Sequence, residues 1–243
     1  APFTLPGKRG IRVLGFPMRQ AMEEVFGHAR AGFERLAPAL YLEDGPYANV
    51  YDLATFYDNH DMRRLDADDA GFIDAHNWLF TVRGIPVVYY GSETGFMRGR
   101  AEHGGNRAYF GQQRIDAAPD SPIHRDLQRI ATLRRQSPAL QRGLQLNLEL
   151  QGERAAFYRV YQHGDTAQTA LVLLNKGDAQ ASMQVSQFLQ PGTWRDGFSG
   201  QALQVDQVLA AEVPAHGVRV FLFDGALTRA DLLARLAQAM EKR

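Results

Sequence analysis

The sequence predicts two kinds of structure in succession, alternating strands and helices first and an antiparallel β-sandwich after them. Two continuous apolar runs, residues 53–57 and 85–90, each follow a helical segment. Such runs are typical of parallel strands that are buried on both faces. From residue 144 the apolar residues alternate with polar ones, which is the period of a strand with one buried face. The pattern therefore favours βα units in a barrel or doubly wound sheet, followed by an all-β domain.

The alternating region starts with a short apolar segment at residues 11–14, which predicts a strand. A helix follows, because apolar side chains recur at helical spacing after Pro17; these are Met18, Ala21, Met22, Val25 and Phe26. Further helices are predicted over residues 32–42, 72–82 and 122–136, with a loop over residues 91–119. About three βα units are therefore visible.

Period-two patterns and turn residues mark the second region. The alternating runs are residues 144–150, 156–161, 170–174 and 218–223. Thr228 is predicted to cap a final amphipathic helix. The predicted domains are residues 1–143 for the α/β part, 144–224 for the antiparallel sandwich and 225–243 for the C-terminal helix.

Composition limits the classes of partner. The 243 residues carry 27 basic and 27 acidic side chains, so there is no net positive charge to hold a nucleic acid. No apolar run approaches the roughly 20 residues that span a bilayer, and we expect no membrane partner. There is no cysteine, which leaves the cellular compartment open. A neutral polar ligand fits this composition best.

Residues 55–61, Thr-Phe-Tyr-Asp-Asn-His-Asp, place an imidazole and carboxylates directly after a predicted strand. Parallel α/β enzymes keep their active residues at this end of their strands. A polar loop in which Asp caps the next helix explains the same residues, and the residue types alone do not decide between the two interpretations.

Three segments resemble the α-amylase superfamily, glycoside hydrolase family thirteen. Residues 56–64, Phe-Tyr-Asp-Asn-His-Asp-Met-Arg-Arg, resemble its fourth signature region, at the end of the seventh barrel strand. Residues 84–93 resemble its eighth strand, and residues 14–21 its sixth. The resemblance implies that the chain holds about the last three βα units of an (α/β)₈ barrel, followed by the family's antiparallel domain C. Residues 58–64 and 91–107 look most similar to cyclodextrin glucanotransferases and cyclomaltodextrinases.

The resemblance also implies roles for individual residues. Asp61 corresponds to the carboxylate that stabilises the transition state, and His60 to a residue that hydrogen-bonds sugar hydroxyls. Asn59, a candidate substrate contact, is expected with Asp58 to shape the turn. Arg107 either donates to a sugar on the donor side or is a solvated loop arginine. Glu102 and His103 depart from the transferases' acidic sugar-binding residue, which leaves product specificity open.

A retaining glycosidase needs two carboxylates about 5 Å apart, a nucleophile and a general acid. The resemblance places both N-terminal to this chain, together with any calcium site of the family. We therefore expect a glycoside hydrolase or transglycosylase acting on α-1,4-glucans such as starch, maltooligosaccharides and cyclodextrins, of which this chain is a C-terminal portion. The isolated chain is predicted to be inactive, with the N-terminal part of the same enzyme as a possible partner. The alternative is a catalytically inert binding or structural protein with the amylase fold.

The remaining histidines and aromatic residues predict structural roles. His76 lies on an apolar helix face and is predicted to be a core residue. His28, His124, His163 and His216 are isolated in the sequence, without a ligand at metal spacing, so no metal and no cofactor are predicted. Aromatic residues of the sandwich are expected in its core; these are Phe157, Tyr158, Trp194 and Phe198.

Overall fold

A computed structural model describes residues 15–47 and 49–241, without the side chains of residues 240 and 241. The helices are α1 Phe16–Phe26, α2 Ala37–Leu40, α3 Asp69–Thr81, α4 Gln112–Ala117, α5 Pro122–Gln136, α6 Pro138–Arg142 and α7 Ala230–Glu241. The strands are β1 Ala54–Thr55, β2 Ile85–Pro86, β3 Leu144–Gln151, β4 Arg154–His163, β5 Thr166–Asn175, β6 Ala181–Val185, β7 Gly192–Asp196, β8 Ala202–Val205, β9 Leu209–Val213 and β10 Gly217–Asp224. The predicted strand at residues 11–14 lies outside the described residues.

Within the described residues, the α/β part contains one parallel strand pair. β1 pairs with β2 in parallel, Ala54 opposite Ile85, and α3 connects the two strands. Both strands are two residues long, so the predicted strands over 53–57 and 85–90 are too long. A ladder extends only where a neighbour supplies hydrogen bonds, and within the described residues each strand has one partner strand. Ile85 is accordingly 38% exposed rather than buried.

The helices around this pair follow from local sequence signals. α1 has the predicted position, and the five residues that predicted it are at most 4% exposed. The predicted helix over 32–42 is instead a 3₁₀ turn, Phe33–Leu36, followed by the four residues of α2. Pro38 explains the break, because proline has no N–H to continue the hydrogen-bond ladder. α4 lies in the segment that was predicted to be a loop.

Gly84 brings the two parallel strands close together. α3 starts at an N-cap, Asp68, whose side chain accepts from the N–H of Gly71 at 2.9 Å. It ends at Thr81, and Gly84 then turns the chain with φ of 95°. A Cβ atom at Gly84 would lie 2.5 Å from the hydroxyl oxygen of Thr55, so only glycine fits this approach.

Two buried arginines hold the C-terminal end of α3. Arg134 donates to the carbonyl oxygens of Phe80, at 2.9 Å, and Gly84, at 2.7 Å. Arg159 of β4 donates to the carbonyl of Thr81 at 2.7 Å. Cations stabilise the negative end of a helix dipole and satisfy its free carbonyls. Burial lowers the pKa of Arg134 to about 10 and of Arg159 to about 9, so both stay charged at neutral pH.

The antiparallel region forms two sheets, as the sequence predicts. The larger has strand order β3-β4-β5-β10-β7-β8 and the smaller pairs β6 with β9. One face of the larger sheet packs on the smaller sheet and α7, and the other packs on the helices of the α/β part. On this second face the rings of Phe157 and Trp78 lie 5.8 Å apart.

Burial on both faces of the larger sheet changes the expected pattern. Residues 171–174 of β5 are all at most 2% exposed, so the predicted alternation of buried and exposed residues is wrong there. Phe157, Tyr158 and Trp194 are fully buried, as predicted, and Phe198 is partly buried. The predicted domain bounds, and the count of three βα units, stay predictions.

The C-terminal helix is present but starts differently from the prediction. α7 begins at Ala230, and the hydroxyl of Thr228 bonds the side-chain amide of Gln190 at 2.9 Å. Leu232 and Leu236 are at most 1% exposed and pack into the sandwich core. No helix in the described part of the chain is long and apolar enough to cross a membrane.

Candidate active site

The predicted site residues lie on the turn after β1 and on the loop that follows β2. The side chain of Asn59 accepts from the N–H of Asp61 at 2.9 Å, which closes a tight turn around His60. Asn106 donates from its side-chain amide to the carbonyl of Asn59 at 3.1 Å and to that of Met62. The turn of residues 59–61 is thus fastened to the loop of residues 91–107.

Asp61, His60 and Arg107 converge in this structure. Arg107 donates from Nη2 to Oδ1 of Asp61 at 2.9 Å and from Nε to the carbonyl of His60 at 3.0 Å. Nε2 of His60 lies 3.1 Å from Oδ2 of Asp61. The three side chains are 60%, 59% and 48% exposed, in the order Asp61, His60, Arg107. They therefore form one solvent-facing cluster of hydrogen-bonding groups.

A buried layer beneath the cluster joins the turn to the loop. Arg64 is fully buried and donates from Nη1 to the carbonyl of Tyr90 at 2.8 Å and to the hydroxyl of Ser92 at 3.0 Å. Its Nη2 donates to the carbonyl of Asn106 at 3.2 Å. A planar guanidinium makes several directed hydrogen bonds at once. Arg64 thereby fixes the residue that immediately precedes Arg107.

Asp58 is the anionic partner of this layer. It is 2% exposed, and the hydroxyl of Ser92 lies 3.0 Å from each of its carboxylate oxygens. Burial raises the pKa of Asp58 to about 6, while the nearby charge of Arg64 opposes this shift. Ser92 therefore bridges a buried cation and a buried carboxylate. Asp58 shapes the turn from below, in agreement with the expectation for this residue.

An aromatic row borders the cluster. The guanidinium of Arg64 lies 4.0 Å from the centre of the Tyr89 ring and 4.9 Å from that of Tyr90. The rings of Tyr89 and Tyr90 meet edge to face at 4.6 Å. The imidazole of His60 lies 6.3 Å from the Tyr89 ring. Cation–π contacts of this kind help to hold the rings of Tyr89 and Tyr90 in place.

Sequence reasoning singled out the exposed residues of this site and the buried Asp58, and it missed the buried Arg64, Ser92 and Asn106. Arg64 lies inside the segment that resembles the signature region, but its spacing does not indicate that it points inward. Ser92 and Asn106 carry no sequence signal for their roles. Their contacts with Arg64 join residues 28 and 42 positions apart, which local patterns do not reveal.

The other histidines divide into confirmed and corrected predictions. His76 is fully buried and shares a hydrogen bond of 2.7 Å with the hydroxyl of Tyr57, which confirms the core assignment. Burial lowers its pKa to about 3, so it is neutral. His216 is not isolated, since its two nitrogens lie 2.7 Å from Asp74 and 3.0 Å from Asp178. The sequence missed this pair because 142 residues separate His216 from Asp74.

No cluster of three or more His, Cys, Asp or Glu side chains arranged to hold a metal occurs within the described ranges. His216, Asp74 and Asp178 form an ion-pair network in which Arg30 also binds Asp178, at 3.4 Å. This network lies between α3 and the loops of the sandwich. It therefore connects the α/β part to the antiparallel part.

A solved structure reproduces most of the fold. The crystal structure of CldA, described as a cyclomaltodextrin glucanotransferase with a three-domain ABC distribution, matches with a TM-score of 0.65 and 27% identity. The match covers 86% of this chain and 44% of that one. Together with the geometry above, this similarity relates the chain to the α-amylase superfamily.

Individual sequence relatives agree with that class. An α-amylase of Streptomyces lividans is 28% identical over 179 residues, which cover 60% of this chain and 19% of that enzyme. A cyclomaltodextrin glucanotransferase of Bacillus sp. (strain 38-2) is 33% identical over 138 residues, which cover 55% of this chain and 18% of that enzyme. The chain thus matches less than a fifth of the length of these two relatives. No protein-family model matches the chain.

Proposed function

We propose that this chain supplies one part of the active site of a retaining glycoside hydrolase or transglycosylase that acts on α-1,4-glucans. The observation that carries the proposal is the convergence of Asp61, His60 and Arg107 at the end of a parallel strand pair. Relatives that bear the names α-amylase and cyclomaltodextrin glucanotransferase support the substrate class.

Asp61 is proposed to stabilise the positive charge that develops on the sugar ring. An oxocarbenium-like transition state is favoured by a carboxylate that is already fixed in position. The side chain of Asn59 and the guanidinium of Arg107 hold Asp61 by its backbone N–H and by Oδ1 respectively. This arrangement orients the carboxylate before substrate binds. A carboxylate that is already oriented stabilises the transition state without a cost of reorganisation during the reaction.

His60 and Arg107 are proposed to bind sugar hydroxyls. The imidazole of His60 is 59% exposed, so a hydroxyl can reach it. Arg107 donates one N–H group to Asp61 and one to the carbonyl of His60. A guanidinium has five N–H donors, so the others can bind a ligand. A sugar hydroxyl can therefore bind these remaining N–H groups while Arg107 keeps its bond to Asp61.

The nucleophile and general acid are proposed to lie in an N-terminal part of the same enzyme. A single stabilising carboxylate at position 61 cannot both attack the anomeric carbon and protonate the leaving oxygen. The chain then works as a portion of a larger catalytic unit, with the N-terminal part and the α-glucan as its partners.

The stereochemistry of hydrolysis tests this function. The polypeptide that joins this chain to its N-terminal part is incubated with maltoheptaose, and the first anomer released is followed by proton NMR. We expect the α-anomer from maltoheptaose and no turnover of cellohexaose, a β-linked control. Release of the β-anomer contradicts the retaining mechanism. Binding without turnover supports instead the inert relative with the amylase fold.

A further inference from the structure

The loop of residues 108–111 presents one aromatic ring almost entirely to solvent. Tyr109 is 86% exposed, whereas every other exposed large hydrophobic residue in the described ranges is at most 52% exposed. A single exposed apolar side chain is ordinary on a mobile loop. The neighbours of Tyr109, however, are held in place.

Both flanks of Tyr109 are anchored. The hydroxyl of Tyr90 donates to the carbonyl of Ala108 at 2.7 Å. On the other side, the ring of Phe110 meets that of Phe96 edge to face at 5.0 Å. Arg114 donates to the carbonyl of Phe110 at 3.0 Å, and its guanidinium lies 5.0 Å from the Phe96 ring. The loop is thus fixed with Tyr109 pointing outward.

This loop continues directly from the candidate active site. Arg107, which binds Asp61, lies two residues before Tyr109, and two residues span at most about 7 Å. Tyr90, which anchors Ala108, is in ring contact with Tyr89, and Tyr89 borders His60. Residues of the loop 91–107 and the tyrosines after β2 therefore border both the cluster around Asp61 and the segment that carries Tyr109.

We propose that Tyr109 is a stacking residue for a glucosyl unit of an α-glucan chain whose reacting unit lies at Asp61, an inference that rests on the proposed function. A pyranose ring has an apolar C–H face and a rim of hydroxyl groups. A tyrosine ring offers a rigid apolar face at low entropic cost, and Arg107 offers hydrogen-bond donors to the rim. Such a residue favours substrates that are long enough to place one unit at Asp61 and another on the ring of Tyr109.

The experiment measures binding rather than turnover. The 243-residue chain is titrated with maltoheptaose by isothermal calorimetry, and thermal melts by circular dichroism check that each variant is folded. We expect Tyr109→Ala to weaken binding about tenfold, the size of one lost aromatic contact. Tyr109→Phe keeps the ring and binds within about twofold of the unmodified chain. Ile115→Ala, which removes another exposed apolar side chain nearby, leaves the affinity unchanged.

The outcomes separate this inference from the proposed function. If Tyr109→Ala binds maltoheptaose as tightly as the unmodified chain, or if the unmodified chain does not bind it, Tyr109 is not a glucan-stacking residue. If cellohexaose binds with the same dependence on Tyr109, this residue does not stack specifically on α-glucans and the inference is overturned. The proposed function is tested separately, by turnover of maltoheptaose in the complete enzyme with Tyr109 unchanged.

Discussion

Arg107 donates a hydrogen bond of 2.9 Å to Asp61, although 46 residues separate them in the sequence. The sequence left Arg107 open between a sugar ligand and a solvated arginine. The structure instead shows it in an ion pair with the proposed stabilising carboxylate. Arg107 therefore has two proposed roles, to orient Asp61 and to donate to a sugar, and substitutions at these two residues test them.

Replacement of Arg107 by Ala is expected to weaken the binding of long α-glucans more than the binding of short ones. The side chain is proposed to contact a sugar on the donor side, and only extended substrates place a unit there. Binding isotherms from maltose to maltoheptaose measure the effect, with Arg125→Ala on the exposed side of α5 as a control for the loss of one positive charge. An equal loss for every chain length would remove the proposed contact with a donor-side sugar and leave Arg107 only its bond to Asp61.

Replacement of Arg64 by Lys is expected to destabilise the fold around the site. Lysine keeps the charge but loses the planar fork that binds the carbonyl of Tyr90, the hydroxyl of Ser92 and the carbonyl of Asn106. The buried acceptors lose partners, at a cost of about 2 to 4 kcal/mol in the free energy of unfolding. Urea denaturation measures it.

The neighbouring arginine provides the control for Arg64. Arg63 is 46% exposed and binds Asp66 and the carbonyl of Gly99 at the surface. Arg63→Lys is expected to cost less than about 1 kcal/mol. Equal destabilisation by the two substitutions would show that Arg64 does not anchor the loop of residues 91–107.

His216 is expected to make stability fall as the pH rises above neutrality. Its hydrogen bond to Asp74 raises its pKa from 6.5 to about 9, so the folded protein holds this proton more tightly than the unfolded chain. The stabilisation is complete below pH 6.5 and is lost as the pH rises through about 9. Burial raises the pKa of Asp74 from 3.8 to about 6. The folded protein therefore also holds this proton more tightly than the unfolded chain, so stability falls as the pH rises from 3.8 to about 6. Arg30 and Lys176 are the other cations near this network.

Replacement of His216 by Asn tests this pH dependence. Asparagine tolerates the left-handed backbone of this position, where φ is 48°. We expect a loss of about 1 to 2 kcal/mol at pH 6.5 that vanishes near pH 10, because solvent around the exposed Asp178 screens part of the interaction. Thermal melts across this range measure it, with the exposed His163→Asn as control. The same loss at both pH values would exclude a titrating ion pair.

The isolated chain is expected to release no reducing sugar from soluble starch. The proposed nucleophile and general acid are outside it, and β1 and β2 each lack a second partner strand within the described residues. Reducing-end assays on the purified chain, alone and mixed with the N-terminal part, measure this. Turnover by the chain alone would mean that a second catalytic carboxylate has been overlooked among these residues.

Local patterns in the sequence predicted the parts of the fold that depend on local physics. Helix α1 follows from its apolar spacing and Pro17, and α5 has the predicted bounds because Ser121 caps it and Pro122 starts it. The extent of β1 and β2 was overestimated, because strand length depends on neighbouring strands that an apolar run does not specify. The apolar run at 171–174 did contain the information that β5 is buried on both faces.

The site was predictable only at its surface. The polar residue types after a strand left two interpretations open, and the resemblance of residues 56–64 to the signature region of the α-amylase superfamily indicated Asp61 and His60. The pairing of Asp58 with Ser92, and of Asp74 with His216, joins residues 34 and 142 positions apart. Contacts at such separations follow from tertiary packing, for which a single sequence carries no periodic signal.

The turnover number of the Asp61→Asn variant measures whether this carboxylate stabilises the transition state. The measurement uses the complete enzyme with maltoheptaose at saturation. If Asp61 stabilises the transition state, kcat falls by about 10² to 10³ with little change in thermal stability, while the exposed Asp120→Asn control keeps full activity. His60→Gln is expected to lose less. Near-normal kcat in the Asp61→Asn variant would contradict the catalytic role of this carboxylate.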